Sequence, residues 1–570
     1  MNDPFHAHLV ILIEELKSLI KKTSTDDIIK FSYITSQMIK NNTGGFKYQF
    51  TSPEQKLNYL LGLVLSTSEP KTPIDHGIKE FETTAGLLNN IFRAYVFMFL
   101  PNVDESLSSE EQTRKKKTGE VVMHAYLKYF TEGLLANYEQ VRDRVRRYLS
   151  PFDEQLKASL GISATDALII ADYLLQKKYS TTKLNGLRRA FGDELAEAYW
   201  NCFTIKRGDH QSSFTYLDDE NDFNNKPFIE IDTNTAVLPL LGNCLYTSIL
   251  YCMEGSLKHN DKYLRFRGKS LESEVEESFR KLFKDAASYY TGVYETDDNH
   301  NEHDLIILWE STLLVIEIKA KPPREPFRDQ ERAYIRIKRA FKGDSGIQKA
   351  YEQADRIRKR LSSAEKIALY DKKGDMVVSL NSDDIENVYC ICVTRDDYGS
   401  LAADLSLLLE KAESDPYPWA VNVFDLENII DAWDYFNWGP ERLCEYLSDR
   451  SQLHGKITPG DELEVVGSFI RHGSLKSLLE TPANANILLD PTYSDVFDEI
   501  YWAKRGKGPP VVYAPTEPNI GDIKEEFSKF MSERKESSVQ QPYIAKSNKI
   551  GPNKPCPCGS GLKYKKCCRK

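Results

Sequence analysis

The stretch EHDLIILWESTLLVIEIKAK, residues 302–321, decides the fold of the central part of this chain. It contains two apolar runs rich in β-branched residues with a short polar break between them, which is the pattern of a β-hairpin. If the turn is centred on the peptide bond after Glu310, Asp304 lies opposite Glu317 on the neighbouring strand. Side chains alternate along a strand, so Glu317 and Lys319 share one face. The hairpin therefore predicts two carboxylates and one ammonium group together on one face.

The charge of this cluster indicates a metal site. Charged groups moved into apolar surroundings are costly unless they find partners, and a divalent metal ion is one such partner. Carboxylate oxygens suit Mg²⁺, which keeps several waters and accepts phosphate oxygens. A bound metal lowers the pKa of its water, and a nearby lysine can orient or deprotonate that water. The alternative interpretation is a salt-bridged pair of strands on a half-exposed sheet.

Asp304 followed by Glu317-Ile318-Lys319 resembles the motif of the PD-(D/E)xK nuclease superfamily, the restriction-endonuclease-like fold. The resemblance implies an α/β/α domain with a mixed sheet and Mg²⁺- or Mn²⁺-dependent hydrolysis of phosphodiester bonds, most often in DNA. It implies that Asp304 and Glu317 hold the metal, that the Ile318 carbonyl is a further candidate ligand, and that Lys319 positions the attacking water. His303 stands where the family often has proline.

Two predicted helices extend this resemblance over residues 263–455. The first resembles the family helix that carries a glutamate directed at the metal. Glu272 is the candidate there, as a ligand bound directly or through water, with Glu274 or Glu276 as substitutes. The second resembles the family helix whose glutamine assists near the scissile phosphate, and Gln353 is the candidate.

Two histidines precede the first predicted strand. His300 and His303 have a spacing that a softer metal could use. Histidines in a loop and at the start of a strand beside carboxylates are more often incidental, so we assign them no role in the predicted site.

The distribution of charge bears on the partner. The chain has 570 residues and a net charge of −10, which argues against a protein that coats nucleic acid by bulk charge. Next to the hairpin, however, residues 323–361 contain twelve basic and six acidic residues. This block predicts contact with a phosphate backbone, so nucleic acid is the expected partner and DNA is favoured. A solvated helix surface is the alternative.

The C-terminal sequence PCPCGSGLKYKKCCRK, residues 555–570, predicts a second metal site. Four thiolates from Cys556, Cys558, Cys567 and Cys568 would give the tetrahedral site that zinc prefers. Disulfides are the alternative, although neighbouring cysteines bridge poorly for geometric reasons. The spacing closely resembles the SEC-C motif, the metal-binding tail of the SecA translocation motor. The resemblance implies a small docking module for a protein or ribosome partner.

The patterns together predict a multidomain α and α/β protein. Apolar stripes at helical spacing, such as Leu9, Leu12 and Leu16, indicate helices in the first part of the chain. The predicted segments are a helical N-terminal sensing or interaction domain (1–210), a short β-containing connector (211–262), the nuclease-like domain (263–455), a helical connector (456–531), a flexible linker (532–555) and the zinc-binding tail (556–570). No apolar run reaches the ~18 residues of a spanning helix, and no signal peptide is evident, so we expect a cytoplasmic protein without membrane contact.

Two functions from different classes fit this sequence. One is a Mg²⁺-dependent endonuclease, which would need two active sites, for example in a homodimer, to cut both strands of a duplex. The other is a non-catalytic interaction protein with a nuclease-like fold, whose tail docks to a chaperone, a ribosome or nucleic acid. The intact set of Asp304, Glu317 and Lys319 favours the enzyme. The composite architecture resembles bacterial restriction or anti-phage defence effectors, which is an analogy and not chemistry.

Overall fold

The computed structural model describes residues 4–40, 53–74, 77–98, 107–131, 138–177, 180–209, 214–240, 244–321, 329–363, 366–480 and 487–515, with the single residues Asn553 and Lys563. The predicted zinc ligands lie outside these residues; they are Cys556, Cys558, Cys567 and Cys568. The predicted linker 532–555 also lies outside them, apart from Asn553.

The first part of the chain is helical, as its apolar stripes predict. Its described elements are α1 (Pro4–Ile20), α2 (Thr25–Lys40), α3 (Pro53–Leu65), α4 (Ile78–Met98), α5 (Ser109–Thr131), α6 (Tyr138–Leu149), α7 (Asp153–Leu160), α8 (Ala164–Gln176), β1 (Thr181–Lys183), α9 (Leu184–Phe191), α10 (Asp193–Phe203) and β2 (Thr204–Lys206). Leu9, Leu12 and Leu16 of α1 are buried together. A polar cap also marks the start of α8, where the Ser163 side chain accepts a hydrogen bond from the backbone of Asp166.

A small sheet and one helix link this part to the centre. The short strands expected there are β3 (Phe228–Asp232) and β4 (Thr235–Val237), and they are followed by α11 (Cys244–Leu257). The four strands lie in the order β1-β4-β3-β2. The buried core of α6 to α11 includes Phe228 of β3, so the small sheet packs against these helices.

The centre of the chain contains a seven-stranded mixed sheet in the order β11-β10-β7-β6-β5-β8-β9. The elements that build and flank it are α12 (Asp261–Phe283), β5 (Ser288–Tyr294), β6 (Glu302–Trp309), β7 (Thr312–Lys319), α13 (Gln330–Lys342), α14 (Ile347–Ser362), β8 (Ile367–Tyr370), β9 (Met376–Leu380), β10 (Asn387–Thr394), α15 (Ser400–Ala403), β11 (Trp419–Asn422), α16 (Val423–Tyr435) and α17 (Pro440–Arg450). Strand β6 is antiparallel to β5 and β7, whereas β10 is parallel to β7 and β11. The predicted class, helical and α/β with a mixed sheet, is confirmed at this level.

Strands β6 and β7 form the hairpin that the sequence predicts. The pairs run from Leu305 opposite Ile316 to Trp309 opposite Thr312, so the predicted register is confirmed. Glu310 has a positive φ of 50°, which a tight hairpin turn between twisted strands requires. This register brings the start of β6 and the end of β7 to the same end of the sheet.

Alternate side chains of the hairpin enter two different cores. Ile306 packs with Ala354 and Ile357 of α14 on one face of the sheet. Leu305 and Ile307 pack on the other face with α12 and α16. Because both faces are covered by helices, the strands are apolar almost throughout.

The last described elements share the core on the α12 side. They are β12 (Ile457–Thr458), α18 (Glu462–His472), α19 (Lys476–Leu479), β13 (Ile487–Leu488) and α20 (Asp495–Lys504). Phe469 of α18 stacks on Trp433 of α16, and Ile500 of α20 belongs to the same cluster. The described part of the segment predicted as a helical connector therefore packs on the central sheet.

No single helix among the described residues is long and apolar enough to cross a membrane, although one bent pair, Tyr138–Leu160 with Ala164–Gln176, meets the length and composition test.

Candidate functional site

The predicted carboxylates and lysine meet at the end of the β6–β7 hairpin. The Lys319 Nζ atom lies 3.7 Å from Oδ2 of Asp304 and 3.4 Å from Oε2 of Glu317. The backbone N–H of Ile318 donates a hydrogen bond of 2.6 Å to Oδ2 of Asp304, which fixes that carboxylate against the neighbouring strand. The structure thus places an ammonium group between two carboxylates, at the open end of the hairpin.

Glu317 is fully buried and is held from its other side by a histidine. The Nδ1 atom of His303 lies 2.8 Å from Oε1 of Glu317, and Nε2 lies 3.2 Å from Oε1 of Glu295. His303 is itself fully buried. The sequence pattern gave His303 no role, whereas the structure places it in contact with Glu317 of the predicted site. Strand alternation alone places His303 and Asp304 on opposite faces, so the sequence pattern did not connect the imidazole with Glu317.

Two arginines of α14 complete this chain of charges. Arg356 Nε donates a hydrogen bond of 2.6 Å to Oε1 of Glu295, and Arg360 Nη1 donates one of 2.7 Å to Oε2. Glu295 follows β5, so three parts of the fold contribute to one network. The network runs from the two arginines through Glu295 and His303 to Glu317.

The pKa values of the network follow from burial and pairing. Burial raises the pKa of Glu317, and the nearby charge of Asp304 adds to this, although the His303 hydrogen bond opposes it. Burial also acts to lower the pKa of His303, but hydrogen bonds with Glu295 and Glu317 outweigh it and the pKa is raised. For Glu295, burial is outweighed by hydrogen bonds from His303, Arg356 and Arg360, and its pKa is lowered to about 2. The two neighbouring carboxylates thus favour the protonated form of His303 more than water does.

Glu272 of α12 lies close enough to the site to feel its charges. Partial burial raises its pKa first, and the negative charges of Asp304 and Glu302 raise it further. The two substitutes are directed elsewhere. Glu274 is buried against α6, where it pairs with Arg144 at 2.9 Å. Glu276 pairs with a neighbour one turn along its own helix.

Gln353 lies on α14 and is half-buried. Its side chain forms no hydrogen bond with another described residue, so the structure does not tie it to the carboxylates. The residues of α14 that reach the site are Arg356 and Arg360, through Glu295. In the sequence, the only indication of these two arginines is that they follow Gln353 by about one and two turns of the same helix.

The set of metal-donor groups at this end of the hairpin is small. Among the described residues, no group of three or more histidine, cysteine, aspartate and glutamate side chains could hold a metal ion. Two carboxylates do converge, and Mg²⁺ is commonly bound through one or two carboxylates while it keeps several waters. Oε1 of Glu317 is engaged by His303, whereas Oε2 faces Lys319. Asp304 and Glu317 therefore have the ligand type that a magnesium-type ion uses, and Glu272 is a further carboxylate whose pKa the charge of Asp304 raises.

Much of the basic block is used inside the protein. Arg358 and Lys359 pair with Asp355 and Asp415. Arg356 and Arg360 pair with Glu295, as described above, and two further members of the block, Arg324 and Arg328, lie outside the described residues. On α13 the inner face is buried, and its exposed bases include Arg332, Lys338 and Arg339. The surface open to a phosphate backbone is therefore narrower than the sequence count indicates.

The linking helix α11 contacts the end of the hairpin through Arg395. The Arg395 backbone N–H donates a hydrogen bond of 3.0 Å to the carbonyl of Lys319. Its buried guanidinium pairs with Glu254 of α11, which also accepts a hydrogen bond from Tyr263. Burial acts to raise the pKa of Glu254, but the Arg395 pair and the hydrogen bonds outweigh it and lower the pKa. A movement of α11 would therefore be felt next to Lys319.

Glu295→Gln is expected to destabilise the protein at neutral pH and much less in acid. A carboxyl whose pKa is lowered on folding stabilises the fold above its unfolded pKa, and this contribution is lost as the pH falls through the folded value, here about 2. The gap between the urea midpoints of wild type and variant should therefore narrow between pH 7 and about pH 3. The exposed carboxyl of Glu480 gives the control, Glu480→Gln, for which no such gap is expected. An equal gap at both pH values would contradict this account of Glu295.

Comparison with known proteins identifies the tail. Residues 553–570 match the SEC-C motif, which confirms that part of the sequence prediction. Similar curated proteins include the protein translocase subunit SecA of Nitrosomonas eutropha, 71% identical over 28 residues, which are 5% of this chain and 3% of that protein. SecA of Syntrophobacter fumaroxidans is 60% identical over 35 residues, covering 6% of this chain and 4% of that protein.

A longer alignment exists with SecA of Pelobacter propionicus, at 40% identity over 81 residues, or 13% of this chain and 8% of that protein. This chain thus spans less than a tenth of the length of these SecA proteins. No solved structure matches the chain. The comparisons therefore show a SEC-C motif in residues 553–570.

Proposed function

We propose that the protein is a metal-dependent nuclease that hydrolyses phosphodiester bonds, with DNA as the favoured substrate. The observation that carries the proposal is the position of Lys319 Nζ, within 3.7 Å of Asp304 and 3.4 Å of Glu317, at the end of a hairpin in a mixed sheet. Two carboxylates and a lysine at the end of such a hairpin are the groups that a PD-(D/E)xK site requires. The helices on both faces of the sheet also fit the architecture that this resemblance implies.

Each residue has a role in this proposal. Asp304 and Glu317 would hold Mg²⁺ or Mn²⁺, and Glu272 would bind directly or through water. The ion, when bound, supplies a water of lowered pKa and neutralises charge on the phosphoryl group. Lys319 holds the attacking water by hydrogen bonding, since its ammonium group lies between the carboxylates. Gln353 keeps the role near the scissile phosphate that the resemblance implies.

His303 is proposed to orient Glu317. A protonated imidazole donates through both nitrogens, so it holds Oε1 of Glu317 at one end and Glu295 at the other. This leaves Oε2 of Glu317 directed towards Lys319. Arg356 and Arg360 of α14 hold Glu295 in place. The orientation of Glu317 therefore depends on the position of α14, through Glu295 and His303. Such supporting hydrogen bonds commonly tune a carboxylate that binds a metal.

The exposed bases of α13 are proposed to contact the nucleic acid backbone. Arg332 and Arg339 are exposed on α13, which follows the hairpin in the sequence. Contacts to phosphate supply affinity without sequence information, and they weaken as salt is raised.

One experiment tests the nuclease directly. Purified protein is incubated with DNA and with RNA, single- and double-stranded, in the presence of Mg²⁺, Mn²⁺ or EDTA, alongside Asp304→Ala. Cutting that needs the metal and is lost in the variant is the expected result. Cutting that survives in EDTA, or in Asp304→Ala, would place the activity elsewhere or in a contaminant.

A second candidate is a non-catalytic interaction protein with the same fold. The observation that favours it is the pairing of Lys319 with both carboxylates, which neutralises much of the cluster without a metal. On this alternative the wild type cuts no substrate under any of the conditions above. Tight metal binding measured by calorimetry, lost in Asp304→Ala, would argue against a purely structural cluster.

The tail is proposed to bind zinc and to dock the protein to a partner. Four cysteines in a SEC-C motif supply the thiolates for one tetrahedral ion. A stretch of this length has no core of its own, so the metal would supply its folding free energy. With a helical sensing part and a nuclease centre, such a recruiting tail fits a bacterial anti-phage defence effector.

Purified protein is expected to contain about one zinc ion per chain. The double variant Cys567→Ser/Cys568→Ser should lose it, because two of the four thiolates are removed. Cys444→Ser is the control, since Cys444 is a free thiol in the central part of the chain. Atomic emission measurement of zinc checks the prediction, and a zinc-free wild type would rule out the four-thiolate site.

A further inference from the structure

Helix α5 of the N-terminal part packs beside α13, the helix whose exposed bases follow the hairpin. Arg114 of α5 and Glu331 in the first turn of α13 form an ion pair of 3.3 Å. The inner faces of both helices enter one core, which contains Val122 of α5 and Ile337 of α13. The outer faces of the two helices therefore border each other on the surface of the protein.

Lysines from both helices act on the same carboxylate. The pKa of Glu410 is lowered, first by the hydrogen bond and the charge of Lys342 and then by the charges of Lys338 and Lys117. Lys338 and Lys342 belong to α13, whereas Lys117 belongs to α5. The bases of α5 and α13 are thus close enough to influence one group, and they belong to one charged surface.

Most acids of this surface are used locally. Helix α5 carries five bases and three acids, and α13 carries five bases and one acid. Glu110 and Asp344, which form no ion pair with a described residue, lie at the start of α5 and beyond the end of α13. The pairs and helix caps are Glu331 with Arg114, Glu120 with Lys116, Glu410 with Lys342, Glu111 with Ser108, and Asp329 with the backbone N–H of Arg332.

Five exposed bases of the two helices are left without such pairs. None of them forms an ion pair with a carboxylate in the described part of the chain. Because neighbouring acids do not pair with these ammonium and guanidinium groups, their charge is available to an anionic partner. The two-helix basic surface, as we name it, consists of Lys115 and Lys117 of α5 and of Arg332, Lys338 and Arg339 of α13.

Helix α5 is anchored beside the chain that leaves the candidate site. Nδ1 of His124 on α5 lies 2.7 Å from Oγ of Ser400 on α15. Two residues earlier, the Tyr398 hydroxyl donates a hydrogen bond of 3.2 Å to the carbonyl of Lys321, just after β7. Lys117 precedes His124 by seven residues, which is about 10 Å along a helix. The basic segment of α5 therefore has a fixed position relative to the end of the hairpin.

The partner that this surface fits is a nucleic acid backbone. A duplex carries about one negative charge per 1.7 Å of its axis, so bases spread over two neighbouring helices can each meet a phosphate. Insertion into a membrane would require a free apolar face. The apolar face of α13, with Ile337 and Phe341, is buried in the core, and Ile335 is a single apolar side chain, 54% exposed, among the bases. The surface therefore suits a polyanion better than a membrane.

We propose that the two-helix basic surface binds the phosphate backbone of the nucleic acid, so that α5 of the N-terminal part contributes directly to the affinity. The choice of partner rests on the proposed function, whereas the assignment of α5 goes beyond it. Contacts of this kind supply affinity without base recognition. Each contact releases counterions, so the affinity falls steeply as salt is raised.

Charge removal on each helix tests the surface. Lys115→Gln/Lys117→Gln changes α5, and Arg332→Gln/Arg339→Gln changes α13. Each double variant is expected to weaken binding to a duplex by about tenfold at low salt. The slope of log affinity against log salt should become shallower by about two, one for each phosphate contact. Fluorescence anisotropy with a labelled duplex over a salt series measures both quantities, and Mg²⁺ and Mn²⁺ are left out so that binding is separated from cleavage.

The control variant is Lys372→Gln/Lys373→Gln, which removes the same charge from two exposed lysines between β8 and β9. Strand β9 lies at the edge of the sheet opposite β11, whereas the core beneath α5 and α13 includes Ala420 of β11. This variant is therefore expected to bind the duplex with the affinity and the salt dependence of wild type.

An α5 variant that binds as tightly as wild type would overturn the proposal, even if the α13 variant binds weakly. Equal weakening in the control would also overturn it, because bulk charge would then decide the affinity, and so would a wild type that binds no duplex at low salt. Poly-glutamate or anionic vesicles that bind more tightly than the duplex, at equal charge concentration, would point to another class of partner and refute it. A protein that binds through both helices but never cuts would refute the nuclease and support this inference.

Discussion

Lys319→Met is expected to lower the rate of metal-dependent phosphodiester cleavage by about 10²–10⁴-fold, the range found when a group that moves or holds a proton is removed. The Lys319 ammonium lies within 3.7 Å of Asp304 and 3.4 Å of Glu317, where an attacking water would be held. Methionine keeps the length and apolar stem of the side chain but cannot donate a hydrogen bond. Single-turnover cleavage of a labelled duplex, with Mg²⁺ saturating, measures the effect.

Two controls separate this effect from general damage. Lys321→Met removes a lysine two residues further along the same segment and should leave the rate within about threefold, well below the effect of a catalytic group. Affinity for uncleaved nucleic acid should change little in Lys319→Met, because the exposed bases of α13 remain. A Lys319→Met protein that cuts at the wild-type rate would remove Lys319 from the mechanism, and the choice of water-holding group would pass to another residue.

Arg450→Met is expected to lower the free energy of unfolding by about 3–5 kcal/mol, the cost of leaving a buried charge without its partner. Arg450 is 1% exposed and Glu462 4%. Their ion pair spans 2.9 Å between Nη2 and Oε2, with a second hydrogen bond of 3.1 Å from Nε to Oε1. Glu462 also accepts from the Trp419 indole at 2.7 Å. This pair joins α17 and α18 to the β11 edge of the sheet.

An exposed pair in the same part of the fold provides the comparison. Arg471 and Glu499 lie 2.9 Å apart, but their side chains are 36% and 47% exposed. Arg471→Met should therefore cost only about 0–1 kcal/mol. Restoring neutrality with Arg450→Met/Glu462→Gln should recover part of the loss. Urea unfolding followed by tryptophan fluorescence gives the values, and equal effects of the two single variants would contradict the role of burial.

The hairpin shows how much local pattern can predict. Alternation and the position of the polar break are properties of adjacent residues, so the register of β6 on β7 followed from the sequence alone. That register already brings Asp304 opposite Glu317 and puts Lys319 on the same face. The tail was equally accessible, because the SEC-C match depends on cysteine spacing within a short stretch.

The rest of the site depends on segments that are distant in sequence. Glu295 follows β5, and Arg356 lies on a helix sixty-one residues later, yet they meet at 2.6 Å. No periodic pattern in the sequence connects these two residues. The burial of His303 between Glu295 and Glu317 follows only from the pairing of β5, β6 and β7 and from the packing of α14 on them. The sequence likewise could not show that Glu274 turns towards Arg144, because that partner belongs to the helical N-terminal part.

The sequence by itself determined the hairpin, the grouping of its carboxylates and lysine, and the SEC-C tail. These rest on alternation and spacing, which act between near neighbours along the chain. Only the tertiary structure decided which bases are paired internally and which apolar side chains, such as Met376 and Val377, stay exposed. Those properties arise when distant segments compete for the same partners and the same buried space, and such competition is settled by packing rather than by local pattern.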